Sequence, residues 1–121
     1  MSNSRFRRSR GVAIVALDEV VHGEVVTQVW GTTKQPSDNV SDWDYGVSQP
    51  GPTIPAGSAL RIVDINPGYR SAMHRTNSVD YVFILAGELE MELDGGEWVH
   101  LKTGDIVIQR GTNHAWENKS N

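Results

Sequence analysis

Two histidines forty residues apart carry the clearest chemical signal in this chain of 121 residues. His74 follows the turn-forming pair Pro67-Gly68 and precedes an apolar run, and His114 follows a strand-like stretch that ends at Gly111. An imidazole can bind a transition metal through one ring nitrogen, or it can exchange a proton near neutral pH. The pair therefore predicts either a metal centre or an acid–base centre.

The remaining composition narrows the choice of cofactor. The chain has no cysteine, so disulfides, thiolate metal sites and cysteine nucleophiles are excluded. Histidine and carboxylate are then the only strong side-chain ligands, which favours a divalent transition metal such as iron, manganese, nickel or zinc. Glycine-rich phosphate loops are absent from the sequence, so no nucleotide cofactor is predicted.

Charge is distributed unevenly along the chain, whose formal net charge is −4. Four arginines lie within the first ten residues, so residues 11–121 carry 7 basic against 15 acidic side chains. Phosphate contacts need clustered Lys and Arg, and a membrane span needs ~20 apolar residues. We therefore predict no nucleic-acid or membrane partner and a cytoplasmic location. Residues 1–11 are predicted to be a disordered basic tail that precedes one domain at 12–121.

Short strands and turns are predicted along most of the chain, without a convincing helical window. In Glu88–Leu93 glutamates alternate with apolar residues, so Leu89, Met91 and Leu93 are predicted to point inward. Val79–Ala86 is nearly all apolar, which predicts burial on both faces. The other predicted strands are Val12–Leu17, Val25–Trp30, Leu60–Asn66, Trp98–Leu101 and Asp105–Gln109. Such closely spaced strands predict an all-β barrel or sandwich.

The two histidine segments resemble the two motifs of the cupin superfamily. The first motif has glycine, five residues, His-x-His, a glutamate and, six residues later, glycine; the second has two glycines, then histidine and asparagine. The matching positions are Gly68, His74, Asp80 and Gly87, then Gly104, Gly111, His114 and Asn118. This resemblance covers residues 59–118 and implies an all-β cupin fold, the jelly-roll barrel of a double-stranded β-helix. It also implies a further C-terminal strand, which is missing before Asn121.

Three residues depart from the full cupin motifs. Thr76 replaces the second histidine, Asp80 replaces the glutamate, and Gln109 stands where proline is usual. The resemblance then implies His74, His114 and Asp80 as metal ligands, a two-histidine, one-carboxylate set that suits oxygen-using iron. Alternation along a strand would turn His74, Thr76 and Asp80 into one cavity, provided that no bulge intervenes. In the alternative role, Asp80 orients His74 or accepts a hydrogen bond from the turn.

Further side chains are candidates for a substrate pocket around the catalytic pair His74 and His114. Trp116 has the same strand parity as His114 and is the best aromatic candidate. The full predicted pocket set is Thr76, Tyr81, Trp116 and Asn118. His22 and His100 are predicted to be exposed, and Arg75 and Arg110 to form surface or interface ion pairs.

The words around both motifs are similar to those of small cupin-domain proteins in bacteria and in fungal secondary-metabolite clusters, some labelled oxidoreductases. This resemblance implies a metal-dependent oxidoreductase that acts on a small aromatic or polyketide-type substrate. Two alternatives stay open: a decarboxylase, dehydratase or cyclase that uses the histidines as acid and base, and a binding protein without catalysis. A homodimer is predicted, in which N-terminal strands extend the sheet of the partner.

Overall fold

The computed structural model describes residues 6–9, 12–15, 24–37 and 53–121, and it confirms an all-β architecture. The helical turn Asp94–Gly96 is the only helical segment within these ranges, and no helix there is long and apolar enough to cross a membrane. The strands are β1 Phe6–Ser9, β2 Val12–Val15, β3 Glu24–Thr32, β4 Ser58–Ile65, β5 Val79–Phe83, β6 Glu88–Leu93, β7 Trp98–Lys102, β8 Ile106–Arg110 and β9 His114–Glu117.

The chain forms two compact units. Unit 1 comprises Met1–Val21 and Val26–Ile62, and unit 2 comprises His22–Val25 and Val63–Asn121. In unit 1, β1 pairs antiparallel with β2, so a strand lies inside the stretch for which the sequence predicts a disordered tail. This pairing satisfies the backbone hydrogen-bonding groups of both strands. The basic composition of the stretch does not reveal such pairing. Strands β3 and β4 pair as a second two-stranded sheet.

Unit 2 contains the three-stranded sheet β7-β6-β9 and the two-stranded sheet β5–β8. In the first of these, Met91 lies opposite Val99 on one side and opposite Trp116 on the other. The β6–β7 hairpin closes through Gly95 and Gly96, whose φ angles of 77° and 76° suit glycine. The alternation predicted for β6 is confirmed at Met91, which is buried. Leu89 and Leu93 are half-buried, as are Glu90 and Glu92.

Strand β5 differs from its prediction in length and burial. It ends at Phe83, and its outward face is exposed together with that of its partner β8. We call this surface the β5–β8 apolar face; its members, 55–69% exposed, are Val79, Tyr81, Phe83, Ile106 and Ile108. The prediction of burial on both faces is therefore wrong, because an apolar run does not reveal whether a second layer covers each face of a sheet.

Candidate functional site

Backbone pairing brings the two histidines together in unit 2. The first motif runs antiparallel along β9, where the Gly68 N–H donates to the Asn118 carbonyl (2.7 Å) and the Ser71 N–H to the Trp116 carbonyl (2.8 Å). At the end of this run, His74 and His114 exchange two backbone hydrogen bonds of 2.9 Å each. Their ring centroids lie 4.4 Å apart. The two motif histidines, which are distant in the sequence, are thus in direct contact through their imidazole rings.

Each imidazole is oriented by a backbone carbonyl two residues earlier in the chain. His74 bonds through Nδ1 to the Ala72 carbonyl, and His114 bonds through Nδ1 to the Thr112 carbonyl, both at 2.8 Å. A carbonyl only accepts hydrogen bonds, so the proton of each neutral ring lies on Nδ1 and the lone pair on Nε2. A hydrogen bond from Nδ1 to a carbonyl commonly fixes the ring orientation of metal-binding histidines. It also prepares the other ring nitrogen to act as a base.

The two rings differ in exposure. His114 is only 4% exposed, and the Trp116 ring contacts it edge-on at 5.4 Å. His74 is exposed to solvent. His74 is therefore the more accessible ring of the pair, and His114 is the more enclosed. The place of Trp116 in a substrate pocket stays a prediction.

Asp80 and Thr76 belong to a network of side-chain hydrogen bonds that does not include the two histidines. The backbone between His74 and β5 is not one strand, because it bends at Asn77-Ser78, so the condition for a shared face is not met. The Ser78 hydroxyl donates to Asp80 Oδ1 at 2.7 Å and lies 2.9 Å from Thr76 Oγ1. Across residues 53–121 and the shorter described ranges, no three His, Cys, Asp or Glu side chains form a metal-binding group. Asp80 as a metal ligand stays a prediction.

Two of the other predicted pocket residues have different surroundings. Tyr81 is 69% exposed on the outward face of β5. Strand alternation turns its side chain to the face of the sheet opposite the one that carries its neighbour Asp80. Asn118 is buried, and its Nδ2 donates to the Ile65 carbonyl at 2.7 Å. Its Oδ1 accepts hydrogen bonds from Ser120 N–H and Oγ–H at 3.0 and 2.6 Å. The structure does not bring Tyr81 to the histidines, and it uses both ends of the Asn118 amide internally.

His100 is exposed, as the sequence predicts, and it lies on the glutamate-bearing face of β6 and β7. It bonds through Nδ1 to Glu90 and lies 3.9 Å from Glu88 through Nε2. The hydrogen bond to Glu90, followed by the charge of Glu90, raises the pKa of His100 above its ordinary value. Arg75 and Arg110 are also exposed, and His22 lies outside the described residues.

Sequence reasoning missed Gln109 as a functional candidate and noted it only as a replacement for proline. The residue is 4% exposed and lines a cleft of about 380 Å³. Its position two residues after Val107 in an apolar strand places its side chain on the inward face. A polar residue at an inward-facing position of an otherwise apolar strand is the signal that would have identified Gln109.

The similarity to known proteins lies in the same segment of the chain. Residues 61–121 match the family model of the cupin domain. The chain is 51% identical over 84 residues to phomopsin biosynthesis cluster protein C′ of Diaporthe leptostromiformis, covering 69% of this chain and 44% of that protein. It is 47% identical over 77 residues to oryzines biosynthesis cluster protein J of Aspergillus oryzae, covering 64% and 43%.

A third relative carries a name that states a class of activity. The chain is 41% identical over 71 residues to the cupin-domain-containing oxidoreductase fogC of Aspergillus ruber, covering 59% of this chain and 35% of the relative. The chain thus spans less than half the length of each of these three relatives.

Proposed function

Because the chain belongs to the cupin family, we propose that it is a small-molecule cupin enzyme of the oxidoreductase type that uses a bound metal. The observation that carries this proposal is the contact between His74 and His114, with the Nδ1 of each ring bonded to a backbone carbonyl. Relatives named for biosynthesis clusters and as oxidoreductases support a small-molecule substrate. The aromatic or polyketide-type character of that substrate stays a prediction from the sequence resemblance.

The proposal assigns two metal ligands, and the chemistry of both suits the task. Imidazole nitrogen binds iron, manganese, nickel and zinc, and the Ala72 and Thr112 carbonyls hold the two rings in place. A bound metal would supply activation of oxygen or polarisation of a substrate oxygen. Asp80 is the predicted third ligand, and its hydrogen bond from Ser78 holds the carboxylate at the turn.

Elemental analysis tests the metal directly. Protein purified without added metal or chelator is expected to contain about one transition-metal ion per chain, because two oriented imidazoles retain such an ion when further ligands come from water or substrate. A parallel sample is stripped with EDTA and reloaded with Fe(II), Mn(II), Ni(II) or Zn(II). Failure to retain any of these ions under all loading conditions would contradict the metal-dependent function.

A second function is favoured by one specific observation. The two imidazoles contact each other, and no three-ligand group accompanies them in the described ranges. One ring can then act as general base and the other as general acid in a decarboxylase, dehydratase or cyclase. Turnover that survives EDTA would favour this function. Ligand binding with neither metal nor turnover would instead indicate a binding protein.

We also propose that the protein is a homodimer. The β5–β8 apolar face exposes five large side chains, on the order of 600 Å² of apolar surface, against ~800 Å² per partner in a standard interface. Packing this face against its copy would shield it from water. The expected mass in solution scattering at micromolar concentration is twice the 13.4 kDa of one chain, and a mass of 13.4 kDa would contradict the dimer.

The remaining predictions concern location and other partners. The acidic composition of residues 11–121 supports the proposal that neither nucleic acid nor a membrane is a partner. The cytoplasmic location likewise stays a prediction from the sequence.

A further inference from the structure

Gln109 carries an unpaired polar atom on the inward face of β8 in unit 2, directly opposite Asp80 in the pairing of β5 with β8. Its side chain is only 4% exposed, and its Nε2 donates a hydrogen bond to Thr112 Oγ1. Its Oε1 is buried, and within the part of the chain that the structure describes it has no hydrogen-bond partner. A buried acceptor without a partner is destabilising, so native proteins rarely keep one without a functional reason.

The same residue lines an open cleft of about 380 Å³, which lies within the range of small-molecule sites. Met91 and Leu93 of β6, with Val107 and Ile108 of β8, give the cleft apolar walls, and Arg110 adds one charged side chain to its lining. Thr112 contributes a hydroxyl next to the Gln109 amide. An apolar cleft with few polar groups is the usual character of a site for a small organic molecule.

The cleft adjoins the histidine pair. Leu93 is the direct cross-strand partner of His114, and such partners project from the same face of a sheet. Met91 is likewise paired with Trp116, the ring that contacts His114. A ligand against Leu93 and Met91 therefore lies beside the imidazole that we assign to the proposed centre.

We infer that the Gln109 amide binds a hydroxyl group of an otherwise apolar, aromatic substrate and so positions it beside His114. A hydroxyl can donate to Oε1 and accept from a neighbouring donor, so it satisfies the buried amide without a charge. Rotation about the last side-chain bond of glutamine has a broad minimum, so Oε1 can turn toward the ligand at little cost. Gln109 stands where proline is usual in the family motif, so the amide at this position is a departure of this chain from that motif. The inference rests on the proposed small-molecule function and names the substrate class.

Two probes that differ by one hydroxyl test the inference: 4-ethylphenol and ethylbenzene, titrated into the ¹⁵N-labelled full chain and followed by NMR. The readout is the ratio of the two dissociation constants. Gln109→Met keeps the length of the side chain and removes its polar atoms. It is expected to reduce the selectivity for 4-ethylphenol by roughly 3- to 10-fold, the worth of one neutral hydrogen bond. Gln35→Met makes the same change at an exposed position and is expected to leave the ratio unchanged.

A second measurement needs no variant. In the wild-type protein, bound 4-ethylphenol is expected to shift the side-chain NH₂ resonances of Gln109 by more than bound ethylbenzene does, because ethylbenzene has only the ring-current effect and no hydroxyl. An unchanged selectivity ratio in Gln109→Met, or no binding of 4-ethylphenol at millimolar concentration, would overturn the inference. Binding is read without metal or turnover, so a negative elemental analysis overturns the metal-dependent function and leaves this test intact.

Discussion

Alanine at position 74 is expected to abolish metal retention and to lower kcat/KM for the aromatic substrate by at least about 10²-fold. His74 supplies one of the two Nε2 lone pairs at the centre, and its ring is exposed. Removal of an exposed ring leaves no buried cavity, so the free energy of unfolding is expected to change by less than about 0.5 kcal/mol. The measurements are elemental analysis, turnover of a screened substrate and a urea denaturation curve.

His114→Ala provides the second arm of this test and His100→Ala the control. His114 is expected to give the same loss of metal and turnover together with a loss of stability, because its buried ring contacts Trp116. His100 is an exposed histidine bonded to Glu90, away from the pair, and its replacement is expected to change neither metal content nor turnover. Full metal content and activity in His74→Ala would show that the pair is not the centre.

Asn118→Ala is expected to destabilise the fold by about 2 kcal/mol, because it removes a buried amide and leaves the carbonyl of the half-buried Ile65 without its partner. The amide of Asn118 donates to the Ile65 carbonyl and accepts two hydrogen bonds from Ser120. Its backbone also pairs with Gly68 and Tyr69 at the start of the first motif, so this residue holds the segment that delivers His74. Urea denaturation followed by tryptophan fluorescence measures the loss.

A second asparagine provides the matched control. Asn113 donates to Asp94 Oδ2 at 3.3 Å in an exposed hydrogen bond. Asn113→Ala is therefore expected to cost less than about 0.5 kcal/mol. If the two alanine variants unfold at the same urea concentration, the Asn118 amide is not a structural clamp, and its predicted place in a substrate pocket regains support.

The sequence by itself determined the features that depend on neighbouring residues. The alternation in Glu88–Leu93 identified the inward face of β6, because a strand turns successive side chains to opposite sides. Asp94-Gly95-Gly96, which lies between the predicted strands Glu88–Leu93 and Trp98–Leu101, suits a hairpin, since glycine readily adopts the positive φ angles that the turn requires. The resemblance of residues 59–118 to the two cupin motifs implied the cupin fold. The alternation and the turn, by contrast, lie within a few residues of the structures that they specify.

Only the tertiary structure decided which distant groups meet. His74 contacts His114 because the first motif runs along the edge of β9, a pairing that spans forty residues of sequence. Asp80 is separated from that pair by a bend. Tyr81 is exposed because no described layer covers its side of β5. Local pattern gives the side to which a residue points. Long-range pairing and burial decide what that side touches, and for this reason the unpaired oxygen of Gln109 emerged only from the folded chain.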